Sequence, residues 1–537
     1  MKHKMNEMID GTSLQVGRAP QVFVDNWLIE QVDSVTRRWH KPRPLQEDPV
    51  LVGDRPWELT PYFTYSNYNV LRDPTDGLIK CWYEDLGPME RYQPHPWRNR
   101  MLYAVSEDGV HFDKPALGRI SIGGEDTNIF AGYVEGATPD AKNPWADVGV
   151  HSGAVVIDPN PANPDERYRM LFSRSLPSLS QVVECAHSAD GIVWTLYKER
   201  PTFGSQKNLN DVSTITYDPV TKLFTQYTRH AYMTVGGIPA SRIETPSGGR
   251  GSFRTYFPHR PDLMNKRRVY RTVSADFVHW TELVPISTPD DEMDNLDEAH
   301  YGCGQFSVGN MQFGTLGVFH GTDNGMYVRL IYSRDGINFR TTDNGRPFIA
   351  PRGEGHWDRY MVTQVSPPIR VGDQWYFYHG GARNHHDYWY AGKQRLDHEE
   401  ARNPQAEMRY CLGVATLRYE GMASIDSVRP RLGRLVTRPL LTDGLSLAIN
   451  ACCRKGGSIR VAVLDSEHNV LPGRSFDDCI PFTGDAIRHT VQWKDGDDFG
   501  GTRGPIDFRK LAFLLDDAEI FGFVFEGDGP VPEVAKP

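Results

Sequence analysis

The sequence lacks any apolar run approaching the ~18 residues a membrane-spanning helix needs, and its charged N-terminus, Met1 to Asp10, has no signal-like apolar stretch. A soluble protein with a cytoplasmic address is expected. Basic runs are missing too, and the formal net charge is −10 over 537 residues. This argues against nucleic acid or an anionic membrane as the main partner, since both are held by clustered Lys and Arg. Cysteine is scarce: Cys81, Cys185, Cys303, Cys411, Cys452, Cys453 and Cys479, with no Cys-x-x-Cys spacing. An odd, scattered set fits neither a secreted disulfide framework nor a zinc or redox motif, and reads as buried thiols.

What is abundant points to β-structure. There are 50 Gly and 38 Pro for turns, with 24 Tyr, 24 Phe and 12 Trp whose flat faces suit strands and can stack on sugar rings. One phrase recurs four times as Ser-x-Asp-(Gly/Phe)-x-x-aromatic. It runs Ser106 to Phe112, Ser188 to Trp194, Ser274 to Trp280 and Ser333 to Phe339. Repeats at this spacing mean one supersecondary unit stacked several times. Within the phrase, Ser and Asp can bond turn amides, Gly tolerates positive φ, and the aromatic packs beneath the turn. These residues are expected to build corners and do no chemistry.

Hairpin signals precede each phrase: Asp73-Pro74 to Gly77, Asp158-Pro159, Asp218-Pro219 and Gly309-Asn310 each lie between short β-rich runs. A fifth unit turns at Gly372-Asp373 and ends in Cys411 to Tyr419. Strand Val22-Phe23-Val24-Asp25 is expected to close the ring, leaving no open edge. Beyond Gly421 the phrase stops. Leu445 to Ile449, Ser458 to Val463, Arg488 to Trp493, Leu511 to Leu515 and Phe521 to Phe525 read as strands of a sandwich. The expected fold is all-β: an N-terminal tail (1–18), a five-bladed β-propeller (19–428) and a C-terminal β-sandwich (429–537).

The opening Phe23 to Glu30, the Pro56-Trp57-Glu58 element, the repeated phrase, and Leu412 to Arg418 running into Gly421 and Ser424 resemble bacterial glycoside-hydrolase-like five-bladed propellers. These are similar in architecture to glycoside hydrolase families 32, 43 and 68. The phrase also resembles the Asp-box of sialidase propellers, with its Gly one place early. Departures from family 32 are substantial, since its Asn-Asp-Pro-Asn-Gly signature is absent. Arg72-Asp73-Pro74 matches its Arg-Asp-Pro by letters but lies on a hairpin turn. Glu184-Cys185 matches its acid motif but lies on an outer strand.

Glycoside cleavage needs two carboxyl groups flanking the scissile bond, about 5–5.5 Å apart for retention and about 6.5–9.5 Å for inversion. In a propeller the innermost strands begin near the central pocket, so acids just upstream of them are the candidates. They are Glu58, Asp147, Asp211, Asp297 with Glu298, and Asp358. Asp211 abuts an apolar strand without nearby acids and is assigned base or nucleophile; Glu298 is assigned acid. Asp358 and Glu58 complete the catalytic set, with Trp57 expected to raise the Glu58 carboxyl. Trp57, His151, His300, Trp357, Arg359, Arg383 and His386 are the expected substrate-binding residues, the last two in the polar-aromatic loop His379 to Tyr390. His385-His386-Asp387 without a spaced partner pair does not make a metal site. No cofactor is expected, although a structural cation at the ring's centre would leave no mark in the sequence.

These readings favour a glycoside hydrolase, exo-acting on a small oligosaccharide or glycoside, a furanoside among the options. The alternatives are a non-catalytic carbohydrate-binding propeller and a phosphate-dependent phosphorylase like those of family 130, for which Arg359 and Arg383 would supply the basic groups. The expected partner is a small carbohydrate.

Overall fold

Strand Ile79–Asp85 carries Lys, Glu and Asp among its apolar residues, yet every one of its side chains is buried. A strand loses its inside–outside alternation when both sheet faces are covered, and this is the rule through most of the chain. The computed structural model describes residues 14–65, 67–86, 98–147, 149–175, 181–204, 213–218, 221–230, 267–289, 294–295, 297–320, 325–364, 366–386, 409–500 and 508–527. Among them the structure is almost entirely β. No helix among these residues is long and apolar enough to cross a membrane.

The repeats build antiparallel meanders. The first unit runs outward from Tyr68–Arg72 through Ile79–Asp85 and Arg100–Ser106 to Ile129–Gly132. The second runs from Val150–Ile157 through Tyr168–Ser175 and Gln181–Ser188 to Thr195–Leu196. The third is Ser213–Asp218, Leu223–His230, Arg268–Ser274 and His279–Trp280, with Thr202–Phe203 added in parallel and Val284–Ser287 on its third strand. The fourth, Glu298–Val308, Met311–His320, Met326–Ser333 and Arg340–Thr341, joins the fifth through the parallel pair Met326–Met361. In the fifth, Met361–Thr363 and Ile369–Val371 pair with Gln374–Ala382, which pairs with Tyr410–Arg418.

Each unit bonds to the next. Asn69 Nδ2 donates to the Gly153 carbonyl at 2.6 Å, Arg169 to the Asp276 carbonyl at 3.3 Å, and Thr214 Oγ1 to the Cys303 carbonyl at 2.6 Å. The fifth returns to the first, where Tyr68 Oη donates to the Thr363 carbonyl at 2.9 Å and Val70 N to Ser366 Oγ at 2.9 Å.

The recurring phrase is a corner. Ser106 Oγ accepts from Gly109 N at 2.8 Å, while Asp108 Oδ1 accepts from Val110 N and His111 N, both at 2.8 Å. The same bonds recur at Ser188, Ser274 and Ser333. The corners also dock on the preceding unit: Tyr378 Oη donates to the Gly109 carbonyl at 2.8 Å and Trp82 Nε1 to that of Gly191 at 2.7 Å. Both glycines have positive φ, and a Cβ would lie 2.4 Å from Tyr378 Oη or 2.8 Å from the Trp82 ring, so only glycine fits.

Ring closure differs from expectation. Arg43–Pro44 pairs with Tyr410–Arg418, whereas Gln21–Val22 pairs with Gly522 and Phe523. Phe23 and Val24 are buried, and Phe23 has its partners in Phe513 and Phe523, so it is drawn to the C-terminal core. That core lies in an eight-stranded sheet containing Ile29–Asp33, Val35–Trp39, Ala423–Ser427, Gly433–Thr437, Ser446–Leu464, Asp485–Thr490 and Lys510–Glu526 as well as Gln21–Val22. Residues before 429 therefore pair with it, and Leu14–Gln15 pairs with Leu440–Leu441. The four strand runs expected around 445–463 and 511–525 are two long strands, shifted in register between Cys453 and Ser458. The seven cysteines are free thiols, five of them buried.

Candidate functional site

The inner strands start where residues from several units meet. Tyr65, in the turn before Tyr68–Arg72, bonds through Oη to His386 Nδ1 at 2.7 Å. His386 Nε2 lies 2.8 Å from Tyr301 Oη, on the strand Glu298–Val308. The two tyrosine rings are 4.2 Å apart, and the guanidinium carbons of Arg229 and Arg267 lie 4.1 and 4.0 Å from the Tyr301 centroid. One chain of polar groups thus gathers the first, third, fourth and fifth units at one place. Of these residues the sequence had picked out His386. The tyrosines and arginines were missed because nothing local marks them, although Tyr301 directly follows His300.

Two residues after Tyr65, Asn67 bonds the fully buried Glu84, which Asn99, His151 and Ser152 also surround. His151, expected as a binding residue, is partly exposed at the start of the second unit. Asp147 is exposed. Asp211 lies outside the described residues.

Glu298 is buried. Its Oε1 accepts from Tyr327 Oη at 3.0 Å and Asn295 Nδ2 at 3.2 Å, with His320 Nε2 at 3.4 Å; its Oε2 faces Arg329 at 3.3 Å. Asp297 lies 3.4 Å from the same His320. His300 turns toward the third unit, bonding Ser287 Oγ at 2.8 Å and Asp294 at 3.3 Å, and Arg329 also pairs with Asp294 at 2.5 Å. Glu298 therefore belongs to a network that, among the described residues, includes three carboxylates, one guanidinium and two imidazoles.

Asp358 is buried and accepts from Arg352 Nε at 2.9 and 3.1 Å. The Arg352 head also holds Glu47, and Trp357 donates to the Glu47 carbonyl at 3.1 Å. The Trp357 ring lies against Gly381 and Gly413, where a Cβ would come within 2.6 Å, and stacks on His379 at 5.6 Å. It packs the fifth unit on one face. Burial, opposed by the Asp358 charge, holds the His379 imidazole down at about 4. Arg359 covers Tyr360, Tyr360 stacks on His385 at 3.8 Å, and Arg383 is exposed. Asp387 lies outside the described residues. Among the described residues no group of three His, Cys, Asp or Glu side chains is placed to hold a metal ion.

Glu58 is arranged otherwise than expected. Its Oε2 accepts from Asp54 N at 3.0 Å, Arg55 N at 2.9 Å and Lys114 Nζ at 2.6 Å, and its Oε1 from Tyr83 Oη at 2.5 Å. Trp57 donates instead to Asn128 Oδ1 at 2.8 Å. Glu58 closes a turn with a lysine 56 residues on, a partner invisible in the local sequence.

The two letter matches to family 32 are also paired. Glu184 Oε1 accepts from Arg174 at 2.8 Å and Arg200 at 3.0 Å. Asp73 accepts from Lys80 at 2.6 Å and Thr75 N at 2.9 Å, and contacts Tyr168 and Arg167. Burial alone would raise the Asp73 carboxyl, but the bonds from Lys80, Tyr168 and Thr75 outweigh it and hold it at about 2.

No protein-family model and no curated protein matches the chain. Solved structures of glycoside-acting proteins are similar to it. One comes from work on family 130 mannoside phosphorylases and their β-1,2-mannoside hydrolases, at 16% identity over 73% of this chain and 96% of that one, TM-score 0.42. Another is a thermostable family-43 glycoside hydrolase, at 10% identity over 69% and 95%, TM-score 0.42. A third is an N-acetylgalactosamine deacetylase from F. plautii, bound to blood group B trisaccharide, at 14% identity over 73% and 97%, TM-score 0.41. At these TM-scores the likenesses carry no argument for the reaction, and the functional reading rests on the side chains.

Proposed function

We propose that the five meanders are the blades of a β-propeller, that the C-terminal sheet is a β-sandwich, and that the chain is a glycoside hydrolase acting on a small oligosaccharide or glycoside. The observation that carries this reading is the Tyr65–His386–Tyr301 chain, which joins three units by bonds of 2.7 and 2.8 Å. Hydroxyl and imidazole groups beside stacked rings suit a polyhydroxylated ligand, whose ring faces are apolar and whose edges donate and accept. Asp211 is proposed as base or nucleophile and Glu298 as acid, with Asp358 supporting the site. Glu58 ranks last, since it is tied into its own turn by the Asp54 and Arg55 amides and by Lys114.

The test is a panel of aryl furanosides and pyranosides, with and without inorganic phosphate, given to wild type, Asp211→Asn and Glu298→Gln. Wild type should turn over at least one member without phosphate, and each variant should lose roughly 10²–10⁴-fold in rate. Full activity in both variants would sink the carboxylate assignment. Strict phosphate dependence would make the chain a phosphorylase, and binding without turnover a carbohydrate-binding propeller.

A further inference from the structure

Strand Val284–Ser287 is added to the third unit, with Ser287 opposite Val269. The inner strand of the fourth unit, Glu298–Val308, is tied to the same unit by His300 N, which donates to the Arg267 carbonyl at 3.1 Å. That strand breaks register with Met311–His320 between His300 and Gly302. Such breaks re-aim side chains, and here the imidazole lies between a hydroxyl and a carboxylate. His300 Nδ1 is 2.8 Å from Ser287 Oγ, and its Nε2 is 3.3 Å from Asp294 Oδ1. Arg329 holds the same carboxylate at 2.5 Å, which fixes where it faces.

The order of groups is hydroxyl, imidazole, carboxylate, and the buried end sets the direction of the protons. An ionised carboxylate only accepts, so Asp294, paired with the Arg329 guanidinium, requires the ring proton on His300 Nε2. In the neutral imidazole Nδ1 is then the acceptor, and the Ser287 hydroxyl donates to it. The His300 and Asp294 side chains are 4% and 3% exposed, whereas Ser287 is half-buried. The base and the group that orients it are sealed, and the hydroxyl is the more open end. This constellation activates a serine nucleophile, with the two ring nitrogens exchanged relative to the usual arrangement. Arg329 offsets part of the charge that would steady the imidazolium, so a slow reaction is expected.

We propose that Ser287, His300 and Asp294 form a nucleophilic triad that cleaves an O-acyl ester carried by a sugar. Ser287 Oγ attacks the ester carbonyl, and its proton moves to His300 Nδ1. The bond from the acyl carbon to the sugar oxygen breaks, and that oxygen takes the proton. Water then attacks the acyl-serine and gives a proton to Nδ1; the acid departs as Ser287 Oγ takes the proton back. Asp294 stays ionised and steadies the imidazolium. The choice of a sugar ester rests on the reading that Tyr301, the residue after His300, lines a glycoside site.

The test treats the full chain with an alkyl fluorophosphonate, from which an activated serine displaces fluoride to leave a stable adduct. Peptide mass spectrometry is expected to find the adduct on Ser287 in wild type, and its formation should slow roughly 10²–10⁴-fold in His300→Gln. No adduct on Ser287, or equally fast labelling of a folded His300→Gln, overturns the triad. If that variant does not fold, the wild-type adduct alone decides, with Ser287→Ala as the blank. The adduct needs no sugar, so the triad is judged apart from the glycoside reading. Acetate release from O-acetylated aryl glycosides and from nitrophenyl acetate then reads the substrate, and both should be lost in Ser287→Ala. Turnover of nitrophenyl acetate alone overturns the sugar ester and keeps the triad. Release from neither ester overturns the activity.

Discussion

The repeat region and the C-terminal sheet bury different things. The C-terminal core is a continuous apolar body in which Phe23, Leu447, Ile449, Val461, Trp493, Phe513 and Phe523 are all nearly inaccessible. The repeat units pack apolar clusters of their own and, beside them, bury carboxylates more deeply than the C-terminal sheet does: Glu84 with two amides and an imidazole, Asp358 with Arg352, Glu298 with Arg329, Asp73 with Lys80. Apolar burial stabilises at little cost in specificity, whereas a buried charge must be matched group by group. Both regions cohere through apolar cores, and the repeat region in addition fixes deeply buried polar groups in place. The two are also joined, because residues 21–39 pair with the C-terminal strands and Arg43–Pro44 closes the ring.

The strongest way to break this contrast is to damage the cohesive region. Phe513→Ala removes a fully buried ring that contacts Phe23 and Phe523 at 6.3 and 6.1 Å. A cost of about 3–5 kcal/mol is expected from lost burial and the cavity left behind. Since Phe23 lies on the segment leading into the closing strand, the repeat region should loosen with it. Calorimetry should show one transition at lower temperature. A split, with the repeat region melting as before, would mean the two regions are independent.

The second prediction concerns the charged region. His379 is held near 4, below its ordinary 6.5, chiefly by burial. The unfolded chain therefore takes up the proton first as pH falls. Its contribution to stability is complete above ~6.5, declines as pH drops toward ~4, and levels off below. A difference of 2.5 units corresponds to ~3 kcal/mol. Denaturant unfolding of wild type and His379→Gln should diverge in pH dependence across this window, wild type having the steeper loss. Parallel curves would show that the imidazole does not stay neutral there.

The same contrast explains what was legible in the sequence. The Ser-x-Asp corner could be read because its bonds span two or three residues, as from Asp108 to Val110 and His111. The hairpins were legible for the same reason. Ring closure was not: Val22 to Asp25 and Arg43–Pro44 both make plausible strands, and the choice depends on Phe513 and Phe523, nearly 500 residues away. Glu84 was overlooked because it ends an apolar strand, and its partners come from positions 67, 99, 151 and 152. Trp57-Glu58 was misread because adjacency in sequence was taken for adjacency in space, while Lys114 and Asn128 take the two side chains. Buried charge is matched over long separations, so the region that places polar groups is the least readable.

The corners give the mildest test, since they sit between the two kinds of burial. Ser106 is buried and its hydroxyl accepts the Gly109 amide at 2.8 Å, as Ser333 does for Gly336 at 3.0 Å. Alanine at either place leaves one amide without its acceptor, which should cost about 1–2 kcal/mol. The two losses should be alike, because the geometry is alike. They should also add, because distant sites without shared partners act independently. Chemical denaturation of Ser106→Ala, Ser333→Ala and the double variant measures all three values. Marked non-additivity would show that the corners are coupled around the ring, through docking contacts such as Tyr378 on the Gly109 carbonyl. The repeat region would then owe part of its cohesion to the phrase itself, and the contrast with the C-terminal core would narrow.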